Sequence, residues 1–219
     1  MSNFLSPNHA VTVRPATRED FPAIARLLTQ LYAVELPGAL RGSQAAQQEL
    51  LHFTLAAKDN QGVRGRYVAC DAAGHVVATA TVEYPGMTPY DRAPDGTIGL
   101  ALKRIGYAET ARLLMVVARS MMPTPRPRTP DAVWIHSVVV DEAGRGQGLG
   151  QTIMRTVEAQ AGAAGYQTAW LQVLAMNQPA RRLYQQLGYT PAWATPRWQH
   201  SLTWPSYLMV KTLSNRHVI

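Results

Sequence analysis

The residues of this chain best suited to chemistry form a glycine-rich turn, Arg145-Gly146-Gln147-Gly148-Leu149-Gly150. An apolar run at 133–140 precedes it and an amphipathic segment at 151–164 follows. The order is therefore strand, turn, helix. The first turn of a helix has N–H groups without intrahelical partners and a partial positive charge, so it attracts anions. Glycines there let backbone amides close on a phosphate. Two better-known phosphate loops are excluded. A Gly-x-x-x-x-Gly-Lys-Ser/Thr loop needs a lysine, and none lies nearby. A dinucleotide fingerprint starting at Gly146 needs its third glycine at the position of Gln151. The register that remains is Arg-x-x-Gly-x-Gly, with glycines at 148 and 150.

Other elements must hold this turn in place. Residues 168–175 (TAWLQVLA) read as a strand. Asn177 then supplies an N-cap, Pro179 fits a first turn, and Gly188 stops the helix. Ala180, Leu183, Tyr184 and Leu187 share one face of it. Upstream, residues 11–14 read as a first strand. Phe21, Ile24, Leu27, Leu28 and Leu31 mark a helix over 19–31. Pro37-Gly38 breaks the chain, and Ser43 caps a second helix reaching Ala57. Residues 66–71 and 76–84 are strands joined by a hairpin turn. Residues 98–122 are helical with Gly106 as a break point, and the prolines of 123–130 cannot continue that helix. After Tyr189 come Trp193, Trp198 and Trp204, then a closing strand over 207–213.

These motifs carry a resemblance. The glycine turn resembles the acetyl-CoA pyrophosphate loop of the GNAT superfamily of N-acetyltransferases. Asn177-x-x-Ala180-x-x-Leu183-Tyr184-x-x-x-Gly188-Tyr189 resembles that family's second signature. Val11-Thr12-Val13-Arg14-Pro15-Ala16-Thr17-x-x-Asp20 resembles its first strand and the turn into its first helix. The resemblance spans 11–213, tight in the two motifs and loose over 85–130. It implies an α/β fold: a GNAT-type central mixed, mostly antiparallel sheet flanked by helices on both faces. The fourth and fifth strands would splay apart to admit acetyl-CoA. The helical and proline-rich segment at 95–130 departs from the family pattern as an insertion between the third and fourth strands. A packed decoration, a lid and a homodimer contact all stay open for it. The implied layout is a single domain at 11–213 between tails at 1–10 and 214–219.

The resemblance also implies roles. Acetyl-CoA would be the co-substrate, with no metal, and a primary amine would attack it directly in a ternary complex. Backbone groups of Val138, Val139 and Val140 would bond the pantetheine arm and polarise the thioester carbonyl. Amides of Gly146, Gln147, Gly148, Leu149 and Gly150 would wrap the pyrophosphate, with Arg145 starting the turn. Asn177 would reach the pantetheine or acetyl end, or serve only as an N-cap. Ala180 would leave the cofactor room. Tyr184 is the expected general acid, since a phenol near pKa 10 donates well to a nascent thiolate; a plain core tyrosine is the other reading. The base has two candidates. Strand alternation places His136 on the same side as Trp134 and Val138, and an imidazole titrates near neutrality. Glu83, near the end of the third strand, is the second, and would otherwise orient a cationic amine. By position, Tyr32, Glu35 and Tyr84 would line the acceptor pocket. A non-catalytic CoA-binding sensor or interaction module of the same fold is the alternative to an enzyme.

Composition bounds these readings. A chain of 219 residues with 47% hydrophobic residues suits one folded domain rather than a disordered chain. No apolar run approaches the ~20 residues that span a bilayer. The opening MSNFLSPNHA lacks the basic region and apolar core of a secretory signal. The one cysteine, Cys70, cannot form an intrachain disulfide, suits a reducing cytoplasm, and is expected to be a buried, inert thiol. No Cys/His cluster has metal-ligand spacing. The net charge of +7 attracts anions. The basic residues are scattered, without a dense run or interleaved aromatics, which argues against nucleic acid as a partner. The expected partner is a small-molecule or peptide amine.

Overall fold

In a computed structural model, which describes residues 11–36, 38–57, 62–87, 93–120, 125–126 and 129–213, the predicted strands join one sheet. The chain runs β1 (Thr12–Pro15), α1 (Phe21–Glu35), α2 (Gln44–Ala56), β2 (Arg66–Cys70), β3 (Val76–Glu83) and α3 (Thr97–Ser120). It continues through β4 (Ala132–Val140), α4 (Leu149–Ala163), β5 (Thr168–Leu174), α5 (Gln178–Gln186), β6 (Thr190–Ala194) and β7 (Ser206–Thr212). The sheet order is β1-β2-β3-β4-β5-β7-β6. Every neighbouring pair is antiparallel except β4 and β5. A parallel pair needs a crossover, and α4 supplies it.

Alternation along the strands builds a core on each face. Val68 and Cys70 turn to one side, where α1 buries Ile24 and Leu27; Ala69 turns to the other. There α4 lays Ile153, Met154 and Val157 against Ala78, Ala80, Ile135 and Leu171. Each fully buried aliphatic side chain contributes roughly 1.5–3 kcal/mol, so the predicted stripe of α1 is enough to fix that helix to the sheet. The entry to α1 is held by Arg14, whose guanidinium donates twice to Asp20 at 2.7 and 2.8 Å.

Between β3 and β4 the chain carries α3, which packs on α2 and pairs Arg104 with Glu49 at 2.6 Å. Gly106, at φ 80 and ψ 173, kinks α3 at the predicted break. Strand β6 is not foreseen by the sequence pattern. It is an edge strand containing Pro191, largely exposed, so neither alternation nor proline avoidance marks it. The tails at 1–10 and 214–219 lie outside the described residues, as do 121–124 and 127–128 of the insertion. Cys70 is buried and unpaired. Among the described residues no helix is long and apolar enough to cross a membrane, and no group of three or more His, Cys, Asp or Glu side chains gathers as for a metal.

Candidate active site

The site begins at an irregularity in β4. Thr81 pairs with His136 and Thr79 with Val139, so Ser137 and Val138 together stand opposite Ala80. This is a β-bulge, and Ser137 takes a left-handed φ of 52 to make it. The extra residue reverses which way the strand faces. Val133 and Ile135 pack against the α4 core before the bulge; Val138 and Val140 do so after it, while Val139 joins the α1 core. Simple alternation puts Val138 on the side of Trp134 and His136, and the bulge corrects that expectation.

The other edge of β4 opens at the same place. Pairing with β5 runs from Ala132 opposite Thr168 to Ile135 opposite Leu171 and stops, although β4 continues to Val140 and β5 to Leu174. The two parallel strands part as anticipated. Peptide groups on this edge beyond Ile135 have no strand beside them and can pair with an amide-bearing ligand as a strand would.

The glycine turn closes the far end of this gap. Gly148 is the N-cap of α4, has φ 80 and offers no side-chain cap, so the first amides of α4 are left for an anion. A side chain at Gly146 or Gly148 would meet nothing within 4 Å, so the outer surface of the turn is open. Gly150 faces inward: a Cβ there would stand 3.0 Å from Leu183 and 3.6 Å from Val140. The absence of a side chain seats α4 against β4 and α5. Arg145 donates from Nε to the Val140 carbonyl at 3.3 Å. Helix α1 clamps the turn from the opposite face. Arg26 pairs with Asp141 and reaches the Val76 carbonyl, while Gln30 donates to Asp141 at 3.3 Å and accepts from the Glu142 N–H at 3.0 Å. Sequence reasoning misses this clamp. Arg26 and Gln30 show helical i, i+4 spacing, but their partner lies more than a hundred residues away.

A pocket occupies the gap. It is walled by Glu35 and Leu36 at the end of α1, residues 134–138 of β4, Gln172 and Leu174 of β5, and Tyr184 of α5, with Arg126, Thr203 and Trp204. Four expected site residues, Glu35, His136, Val138 and Tyr184, thus come together from three elements, α1, β4 and α5. The Tyr184 ring packs edge-on to Tyr189 at 5.8 Å. Burial, and then the charge of Glu35, push its phenol above the ordinary value, so it stays protonated and able to donate. Burial lifts Glu35 from 4.5 to about 7, and no hydrogen bond or ion pair reaches it from the described residues.

His136 departs from expectation. Burial, then the guanidiniums of Arg66 and Arg126, lower its pKa to about 3, and its Nδ1 lies 3.0 Å from the Ser137 hydroxyl. It is neutral at pH 7 and a weak proton acceptor, whereas an imidazole read from sequence is assigned a titration near neutrality. Glu83 is not in the lining; it pairs with Arg126 at 3.5 Å, and Arg126 lies 4.4 Å over the Trp134 ring. Tyr84 packs its ring 5.2 Å from Tyr166, and Tyr32 packs against the α1 core; neither lines the pocket. Asn177 accepts from the Ala180 N–H at 3.2 Å as an N-cap, and Ala180 packs on the α4 core.

The comparisons agree with this architecture. The profile of the Acetyltransferase (GNAT) family matches residues 28–189. No curated protein matches the chain. An acetyltransferase crystal structure aligns at 25% identity and a TM-score of 0.59, over 93% of this chain and 100% of that one. The structure of histone acetyltransferase HPA2 and related acetyltransferase from Corynebacterium glutamicum aligns at 21% identity and 0.62, over 95% and 99%. That of yncA from Salmonella typhimurium, solved with its cofactor acetyl-CoA, aligns at 16% and 0.54, over 95% and 97%. A parted β4–β5 pair ending at a glycine-opened helix, together with the family match over most of the chain, defines an acyl-group transferase fold. This chain belongs to the acetyltransferase (GNAT) family.

Proposed function

We propose that this protein transfers an acetyl group from acetyl-CoA to a primary amine by direct attack in a ternary complex. The observation that carries the reading is the gap between β4 and β5. It has uncapped helix amides at one end and a protonated phenol, Tyr184, in its wall. The residues present fit the co-substrate. The α4 amides and Arg145 suit a pyrophosphate, the unpaired edge of β4 suits a pantetheine amide arm, and the bulge frees peptide groups for a carbonyl oxygen. When bound, acetyl-CoA supplies an activated acyl carbon and a thiolate leaving group. The chain holds the acyl group in line with the pocket, excludes water there, and donates a proton from the Tyr184 hydroxyl to the departing sulfur. No covalent attachment to a side chain is needed.

Thermal unfolding with acetyl-CoA, CoA, NAD and ATP tests the reading. A ligand at a hundred times its Kd stabilises the native state by about 2.7 kcal/mol. A shift with acetyl-CoA and CoA alone, followed by amine-dependent thiol release, is expected. No shift with acetyl-CoA would remove the proposal, and a shift without thiol release from any amine would leave a CoA-binding module instead.

A further inference from the structure

We propose that Glu35 is the base that takes the proton from the incoming amine, and that the acceptor is a primary amine bound as its ammonium ion with a single positive charge. The inference rests on the acetyl-transfer reading above and assigns the acceptor side of that site. Glu35 ends α1, lines the pocket, and lacks a partner among the described residues. The other titratable or charged groups of the lining are Tyr184 from α5, His136 from β4, and Arg126. His136 is held neutral, and Glu83 is occupied by Arg126 and stands outside the lining. Glu35 is therefore the carboxylate that an amine in the pocket would meet.

Glu35 is half-buried in the pocket wall; a carboxylate there without an ion-pair partner is costly, and an ammonium ion offsets that cost on arrival. Burial poises Glu35 at about 7, where a group both accepts and releases protons readily. Arg126 in the same wall opposes a second positive charge on the ligand. The steps balance as follows. Glu35 takes one proton from the ammonium nitrogen, leaving a neutral amine. The nitrogen lone pair forms the C–N bond, the C–S bond breaks, and its electron pair leaves on sulfur. Tyr184 gives its proton to that sulfur and regains one from the amide nitrogen. Glu35 returns its proton to water.

The variant Glu35→Gln separates this from the parent reading, with n-butylamine as the acceptor probe and spermidine as the multiply charged comparison. The acetyl-CoA thermal shift is expected to persist. Wild-type kcat/KM for n-butylamine should rise through about pH 7 and level off. In the variant it should fall about 100-fold at pH 7 and keep rising towards the pKa of the amine itself. Glu35→Asp, which keeps a carboxyl group, should retain the rise and plateau. A second measurement needs no substrate. The native carboxyl holds its proton up to about 7 and the unfolded one only to about 4.5, so wild type loses stability as pH rises between them. Glu35→Gln escapes this loss, and its gain in Tm over wild type should be larger at pH 8 than at pH 5. An equal gain at both pH values, an unchanged rate profile in Glu35→Gln, or spermidine preferred over n-butylamine would overturn the inference. Loss of the acetyl-CoA shift in wild type would instead overturn the parent reading.

Discussion

At the scale of single residues, the proposed reaction gives Tyr184 the proton transfer and the turn at Gly148 the anion. The Tyr184 ring is part of the α4 core, and its hydroxyl is the only group that Tyr184→Phe removes. That variant should keep its fold and its acetyl-CoA thermal shift while kcat drops about 100-fold, measured by thiol release. Equal turnover would remove Tyr184 as the acid. Gly148 is left-handed with open space around it, so a side chain there is strained but not blocked. Asn and Asp tolerate that conformation best and also cap helices. Gly148→Asn and Gly148→Asp should therefore fold about equally well. Only the aspartate sets a negative charge where a pyrophosphate would sit. The acetyl-CoA shift should survive largely in Gly148→Asn and vanish in Gly148→Asp; binding by both would displace the pyrophosphate from the α4 N-terminus.

At the scale of elements, the turn before α4 is placed by α1, not by its own sequence. Arg26→Ala would leave Asp141 half-buried without its guanidinium and free the turn from the α1 face. Gln30 still donates to Asp141, so the loss is that of one hydrogen bond to a charged group, about 1.5–3 kcal/mol. The variant should melt a few degrees lower, and its KM for acetyl-CoA should rise about tenfold with kcat little changed. An unaltered KM would mean that the turn keeps its shape unaided. Which elements were legible follows from how local their causes are. The Ser43 and Asn177 caps, the α1 stripe and the Gly106 kink depend on neighbours in sequence, and each is read directly from residue types. The bulge at Ser137 and the α1 clamp depend on pairing across the fold, so no local pattern marks them. The neutral state of His136 belongs to the same class: burial within the fold sets it first, helped by Arg66 from β2 and by Arg126. The edge strand β6 was hidden for a different reason, since exposure removes the alternation that reveals strands.

At the scale of the whole molecule, two cores grip the sheet from opposite faces, and α4 and the end of α1 meet it where β4 and β5 part. The gap is thus a consequence of sheet topology: a parallel pair inside an antiparallel sheet, with a bulge turning one strand away. The net charge of +7 acts on this geometry from a distance. The ion pairs Arg14–Asp20, Arg104–Glu49 and Lys211–Glu158 neutralise part of the basic surface locally. The surplus still gives the molecule a positive field, and CoA brings a pyrophosphate and a further phosphate to it. Such steering acts mainly on association, and it weakens as the Debye length falls from about 10 Å at 0.1 M salt to about 3 Å at 1 M. The association rate of acetyl-CoA, followed by stopped flow, should therefore drop about tenfold over that range, with dissociation much less affected. CoA lacking its 3′-phosphate should show a shallower dependence, because it offers the field less charge. A rate indifferent to salt would mean that the basic surplus plays no part in capture, and that the α4 amides and the β4 edge hold the co-substrate by contact alone.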